Sequence, residues 1–104
     1  MNLNDYQSQA IETALPSALN LPYMALGLAG EAGEVANKVK KIIRDGASLQ
    51  KQKEIADELG DVLWYVAGVA STLGVTLEAL AEANLTKLQA RKAKGTISGS
   101  GDNR

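Results

Sequence analysis

The sequence contains no cysteine, no histidine and no phenylalanine. Without cysteine there is no disulfide, no thiolate metal site and no thiol nucleophile. Without histidine there is no imidazole base and no histidine-ligated zinc or di-iron centre. Any metal must be held by oxygen ligands, which favours Mg²⁺, Mn²⁺ or Ca²⁺. An excess of one charge is also lacking, since 11 basic and 12 acidic residues leave a net charge of −1. That is not the basic surface of a protein that binds a nucleic-acid polymer. No apolar run is long enough to span a bilayer. The first residues, Met1-Asn2-Leu3-Asn4-Asp5, have neither the basic nor the apolar region of a signal peptide. The expectation is a cytoplasmic protein with no membrane partner.

What remains is an ordinary globular composition, 45% apolar and 22% charged, over 104 residues. A chain of this length makes one domain with a modest core. We expect that domain over residues 1–95, followed by a glycine- and serine-rich tail at 96–104. The β-branched residues do not alternate with polar ones, so no strand is expected. The expected fold is all-α: a compact four-helix bundle with helices two and three as an antiparallel pair.

The first helix is expected over residues 5–15, with Asn4 as N-cap, Gln7 close to a capping-box position and Pro16 limiting its extension. Leu3, Tyr6, Ala10, Ile11 and Ala14 form its apolar stripe. After a loop at 16–21, the second helix starts at Pro22 and ends at Gly46. Met24, Leu28, Val35, Val39 and Ile42 share one face of it, with Glu31, Glu34, Lys38 and Lys41 along the border. Gly27, Gly30 and Gly33 each cost roughly 1 kcal/mol inside a helix relative to alanine. Close approach of another backbone or a ligand would account for them. Ser48 caps the third helix, in which Ile55, Leu59, Val62, Val66, Val69 and Leu73 are expected to face the core. Beyond Val62 that helix is apolar nearly all round, which points to a subunit interface. Thr76 caps the fourth helix, which ends near Gly95 and carries Asn84, Lys87 and Arg91 on one side.

Two acid pairs share the same spacing, Glu31 with Glu34 and Glu58 with Asp61. The turn between helices two and three is very short, so their registers can be compared. At 1.5 Å per residue, Glu34 and Glu58 lie roughly 18 and 15 Å from the turn, and Glu31 and Asp61 roughly 22 and 20 Å. Each pair borders an apolar stripe, so four carboxylates are expected to converge at the helix–helix seam. Such a group repels itself unless some members protonate or a cation binds. A divalent ion shared with substrate phosphates, and attack by water, is the chemistry that fits. Either pair alone is also ordinary helix-surface chemistry, since Glu–Lys pairs such as Glu34–Lys38 are common.

These residues resemble the signature of the MazG-like, all-α nucleoside triphosphate pyrophosphohydrolases. The resemblance covers Glu31-x-x-Glu34 and, 24 residues later, Glu58-x-x-Asp61, with the surrounding segments 26–34 and 57–65, the segment 84–91 and the closing residues 99–104. It implies a helical bundle that works as a homodimer or homotetramer. It also implies Mg²⁺-dependent hydrolysis of a nucleoside triphosphate to the monophosphate and pyrophosphate, with Mn²⁺ as a possible substitute. By resemblance Glu31, Glu34, Glu58 and Asp61 ligate the metal, and one of the glutamates orients or deprotonates water for attack on the α-phosphorus. Asn84, Lys87 and Arg91 resemble the helix that contacts substrate, against the plainer reading of a solvated basic helix end. Lys38 is either a phosphate contact or the ion-pair partner of Glu34. Glu54 is either a further ligand or a surface acid. Trp64 and Tyr65 either stack on a base or belong to the core or an interface. The tail either folds over phosphates or is disordered. Some relatives carry another acid directly before the first motif glutamate, where this chain has Gly30. The alternative reading is a non-catalytic helical oligomer that binds or regulates, with a structural divalent-metal site.

Overall fold

The computed structural model describes residues 1–95 and contains four α-helices and no strand among them. The all-α class and the close pairing of helices two and three are as expected. The expectation for the tail at 96–104 lies outside the described residues.

Helix α1 spans Leu3–Glu12 and is capped by Asn2, whose side chain accepts the Asp5 N–H at 2.8 Å. The expected cap, Asn4, is instead a tertiary residue. It donates to Glu78 Oε2 at 3.1 Å and accepts the Glu78 N–H at 3.2 Å, tying α1 to the start of the fourth helix. Gln7 likewise serves no capping box. Its buried amide donates to Ser71 Oγ and the Val75 carbonyl, both at 3.0 Å, and accepts the Leu77 N–H at 2.8 Å. Part of the expected loop is a short 3₁₀ turn, Pro16–Ala18.

Helix α2 spans Leu21–Asp45, with Asn20 accepting the Tyr23 N–H and Pro22 in the first turn. It stops at Gly46, whose φ of 90° is strained for any residue with a Cβ. Helix α3 spans Leu49–Thr72 with Ser48 as cap. Helix α4 spans Leu77–Lys94 with Thr76 as cap and Gly95, at φ 74°, just past its end.

The core is small. Ala10, Ala67, Ala70 and Leu77 form its centre, with Tyr6, Trp64 and Val66 packed against it. Trp64 Nε1 donates to the Ala10 carbonyl at 3.1 Å and to Thr13 Oγ1 at 2.8 Å, so this tryptophan fastens α1 to α3. The expected core face of α3 is partly wrong. Leu59 and Leu73 are more than half exposed, whereas Ala67, Gly68 and Ala70 are buried. An all-round apolar helix does not declare which of its sides its own chain will cover; α2 and α1 take two of them. Val39 on the expected apolar face of α2 is 41% exposed as well.

Two contacts set the register of α2 on α3. Met24 fills the space above Gly68, and the Tyr65 ring lies over Gly27. A Cβ on either glycine would collide with that neighbour. Three residues forward on α2 correspond to three residues back on α3, so the pair is antiparallel. The same count places Glu31 opposite Asp61 and Glu34 opposite Glu58.

The radius of gyration is 16.2 Å, against about 13 Å for a compact globule of this length. The α2–α3 hairpin accounts for much of this, and α3 and α4 diverge by 100°. Helix α4 packs mainly on α1. No single helix among the described residues is long and apolar enough to cross a membrane.

Candidate active site

The register of α2 and α3 brings acids together across the seam. One carboxylate oxygen from each of Glu31, Glu58 and Asp61 lies within 4.8 Å of the others. Glu31 and Glu58 are half-buried and Asp61 is exposed. Three of the four motif acids therefore form the tight group. Glu34 is exposed and sits outside it, though its charge still acts on Glu31. Glu54 is not in the group either, and accepts a hydrogen bond from Gln50 on its own helix.

The electrostatics follow from the crowding. A side-chain hydrogen bond with Glu58 raises the Glu31 pKa, with burial and the charges of Asp61, Glu58 and Glu34 acting in the same direction. Two carboxylates share a hydrogen bond only if one of them keeps a proton. The donor set is oxygen only, clustered, and partly shielded from water, which fits a hard divalent cation.

Phenols border the acids. The Tyr65 hydroxyl has a raised pKa, chiefly through burial, then through Tyr23, Glu31 and Asp61. The Tyr6 pKa is also raised, by burial and then by Asp61. Tyr6 thus belongs to the surroundings of the cluster, which the sequence pattern does not reveal. The pattern puts Tyr6 on an apolar stripe, and nothing in it sets α1 against α3. Tyr65 meets the Trp64 ring edge-on, centroids 4.9 Å apart.

The glycines divide. Gly27 gives clearance to Tyr65, but a Cβ at Gly30 or Gly33 would meet nothing within 4 Å. Clearance for α3 therefore does not explain Gly30 and Gly33, because both lie on the side of α2 that its own chain leaves open. Lys38 pairs with Glu58, its Nζ 3.8 Å from Oε1. Its partner is the acid on the opposite helix and not Glu34 on its own.

The remaining candidates are on α4. Asn84 and Lys87 are exposed and border a shallow depression with Leu80 and Ala83, while Arg91 is buried. Helix α4, which carries these three residues, packs mainly on α1. The larger depression between α1 and the α3–α4 turn, about 570 Å³, is lined by Gln7, Ser71 and Val75 and contains none of the motif acids.

The MazG nucleotide pyrophosphohydrolase domain matches residues 21–96, which hold both acid pairs. The Gene 37 protein of Mycobacterium phage L5 is 48% identical over 114 aligned positions that cover all of both chains. No solved structure matches the chain. With the matched domain spanning both helices of the acid seam, the chain belongs to the MazG nucleotide pyrophosphohydrolase family.

Proposed function

We propose that this protein is a Mg²⁺-dependent nucleoside triphosphate pyrophosphohydrolase that converts an NTP or dNTP to the monophosphate and pyrophosphate, a nucleotide-pool housecleaning activity. The observation that carries this reading is the convergence of Glu31, Glu58 and Asp61 oxygens within 4.8 Å in a chain of this family. Glu31, Glu58 and Asp61 would hold the ion, with Glu34 joining them from the next turn of α2. Bound there, Mg²⁺ or Mn²⁺ would neutralise the acids and the substrate phosphates and polarise a phosphoryl oxygen. One glutamate orients a water and accepts its proton as the oxygen attacks the α-phosphorus. The bond to the α,β-bridging oxygen breaks and pyrophosphate leaves.

Substrate binding is assigned to Lys38, Asn84, Lys87 and Arg91, whose donors suit phosphate oxygens. With α4 packed mainly on α1, a homodimer or homotetramer is the natural working form, with α4 serving the acids of another copy. The open shape supports this, as do Leu63 and Leu80, each two-fifths exposed, and Leu85, 56% exposed.

The test is incubation with a panel of canonical and modified NTPs and dNTPs plus Mg²⁺. Release of pyrophosphate, not orthophosphate, is expected. Glu34→Gln, Glu58→Gln and Asp61→Asn should each abolish release, falling by about 100-fold or more, while circular dichroism shows an intact bundle. No release from the wild-type protein across the panel would favour the binding or regulatory module with a structural metal.

A further inference from the structure

Helical side chains lean toward the N-terminus of their helix. Lys38, one turn beyond Glu34 on α2, therefore leans back toward the level of the acids, and its four-carbon stem crosses the seam. Its ammonium stops 3.8 Å from Glu58 Oε1, with the two side chains 27% and 19% exposed. A simpler option existed on its own helix, where Glu34 stands at the favourable i,i−4 position. Crossing instead places the positive charge where three carboxylates crowd together. The other ion pair among the described residues, Arg44–Asp45, is at the far end of α2. A separation of 3.8 Å exceeds a direct N–H···O hydrogen bond. The lysine thus neutralises Glu58 without being locked to it.

We propose that Lys38 is the built-in counter-ion of the carboxylate cluster. It occupies Glu58 when no divalent cation is bound, competes with that cation for Glu58, and when displaced carries its ammonium to the substrate polyphosphate. This rests on the reading above that the acids hold a divalent cation. A lysine suits the role because its ammonium is a point charge on a flexible stem that serves carboxylate and phosphate alike. The device imposes an order on binding: cation first, polyphosphate second.

The experiment measures Mg²⁺ binding to the full chain without nucleotide, by calorimetry and by the shift in Tm. Lys38→Met and Lys38→Gln remove the charge. Lys41→Met removes the same charge from an exposed position one turn along α2. Both Lys38 variants should bind Mg²⁺ about two- to fivefold more tightly, the range of a partly exposed ion pair, and Lys41→Met should match wild type. Inorganic triphosphate, titrated in saturating Mg²⁺, should bind the Lys38 variants more weakly than wild type. Unchanged or weaker Mg²⁺ binding by the Lys38 variants would overturn the proposal. So would an equal gain in Lys41→Met, which would mark a general field effect. Failure of the metal-site reading itself looks different: wild type and Glu58→Gln would both show no Mg²⁺ binding, and this inference would fall with it.

Discussion

Two glycines on one helix offer a test in which the same substitution should stabilise at one position and not at the other. Alanine is favoured over glycine in a helix interior by about 1 kcal/mol. At Gly33 a Cβ would meet nothing within 4 Å, so in Gly33→Ala that gain stands alone. A gain of about 1 kcal/mol raises the Tm of a domain this size by about 4–8 °C. At Gly27 a Cβ would fall within the Tyr65 ring. Overpacking of this kind costs about 1–3 kcal/mol. Set against the same helix gain, Gly27→Ala should range from neutral to about 2 kcal/mol less stable. The two variants should differ by about 1–3 kcal/mol, with Gly33→Ala the more stable. The assay is thermal melting followed by far-ultraviolet circular dichroism at matched protein concentration. Because the charges of Glu31 and Asp61 act on the Tyr65 hydroxyl, Gly27→Ala should also change Mg²⁺ affinity. If Gly27→Ala is as stable as Gly33→Ala, Tyr65 does not sit over Gly27 and the register of α2 on α3 is wrong. A destabilised Gly33→Ala would mean that another backbone covers the outer side of α2, and the loss should then deepen on dilution.

Three further outcomes are expected. Gln7→Leu leaves the buried Leu77 N–H without its acceptor and should cost about 1–3 kcal/mol in denaturant unfolding. In EDTA, stability should fall as pH rises above 4.5, because the folded state holds the Glu31 proton more tightly than the unfolded chain does. The stabilisation is complete below the unfolded pKa and disappears as pH passes the folded one. The Tm gain from Mg²⁺ should accordingly be larger at neutral pH than near pH 5, and a gain independent of pH would contradict the assignment. Leu80→Lys places a charge in an apolar groove shared with Leu3, Leu63, Val66 and Ala81. In a monomer this partly exposed change should be within about 0.5 kcal/mol of neutral, whereas a groove filled by another copy predicts dissociation in sedimentation velocity.

How far the sequence is legible depends on chain distance. Helices α2 and α3 are separated by Gly46, Ala47 and Ser48, so counting residues from the turn is enough to bring Glu31, Glu58 and Asp61 to one level. The caps Ser48 and Thr76 are legible for a similar reason, since each needs only the N–H three residues on, whereas the contacts of Asn4 with Glu78 lie 74 residues away and the cap of α1 falls to Asn2. Helix α1 is different. It reaches α2 through residues 13–20, with a 3₁₀ turn on the way, and no local rule tells Gln7 that its partners are Ser71, Val75 and Leu77. Lys38 shows a local rule losing to a longer-range one. The i,i−4 preference favours Glu34, but the crowded acids across the seam attract the ammonium more strongly.

The two halves of the expected chemistry have different structural origins. The acids depend on a single helical hairpin, whose register is set by Met24 over Gly68 and Tyr65 over Gly27. No other element is needed to bring their oxygens within 4.8 Å. The basic residues of α4 depend on how α4 is carried, and within one chain it is carried by α1 through Asn4, Gln7 and their partners. The core is centred on three alanines and one leucine, with Tyr6, Trp64 and Val66 packed against them, and a core of this size gains stability from any further apolar burial. Association of copies would add that burial and bring α4 to a second hairpin at the same time. On this view cation binding is a property of the hairpin, and should outlast changes to α4 that leave the chain folded. Polyphosphate binding draws on the assembly as well as on Lys38, and should weaken when the assembly is lost. Titrating Leu80→Lys with Mg²⁺ and then with inorganic triphosphate separates the two, because a dissociated but folded chain should keep the first and weaken in the second.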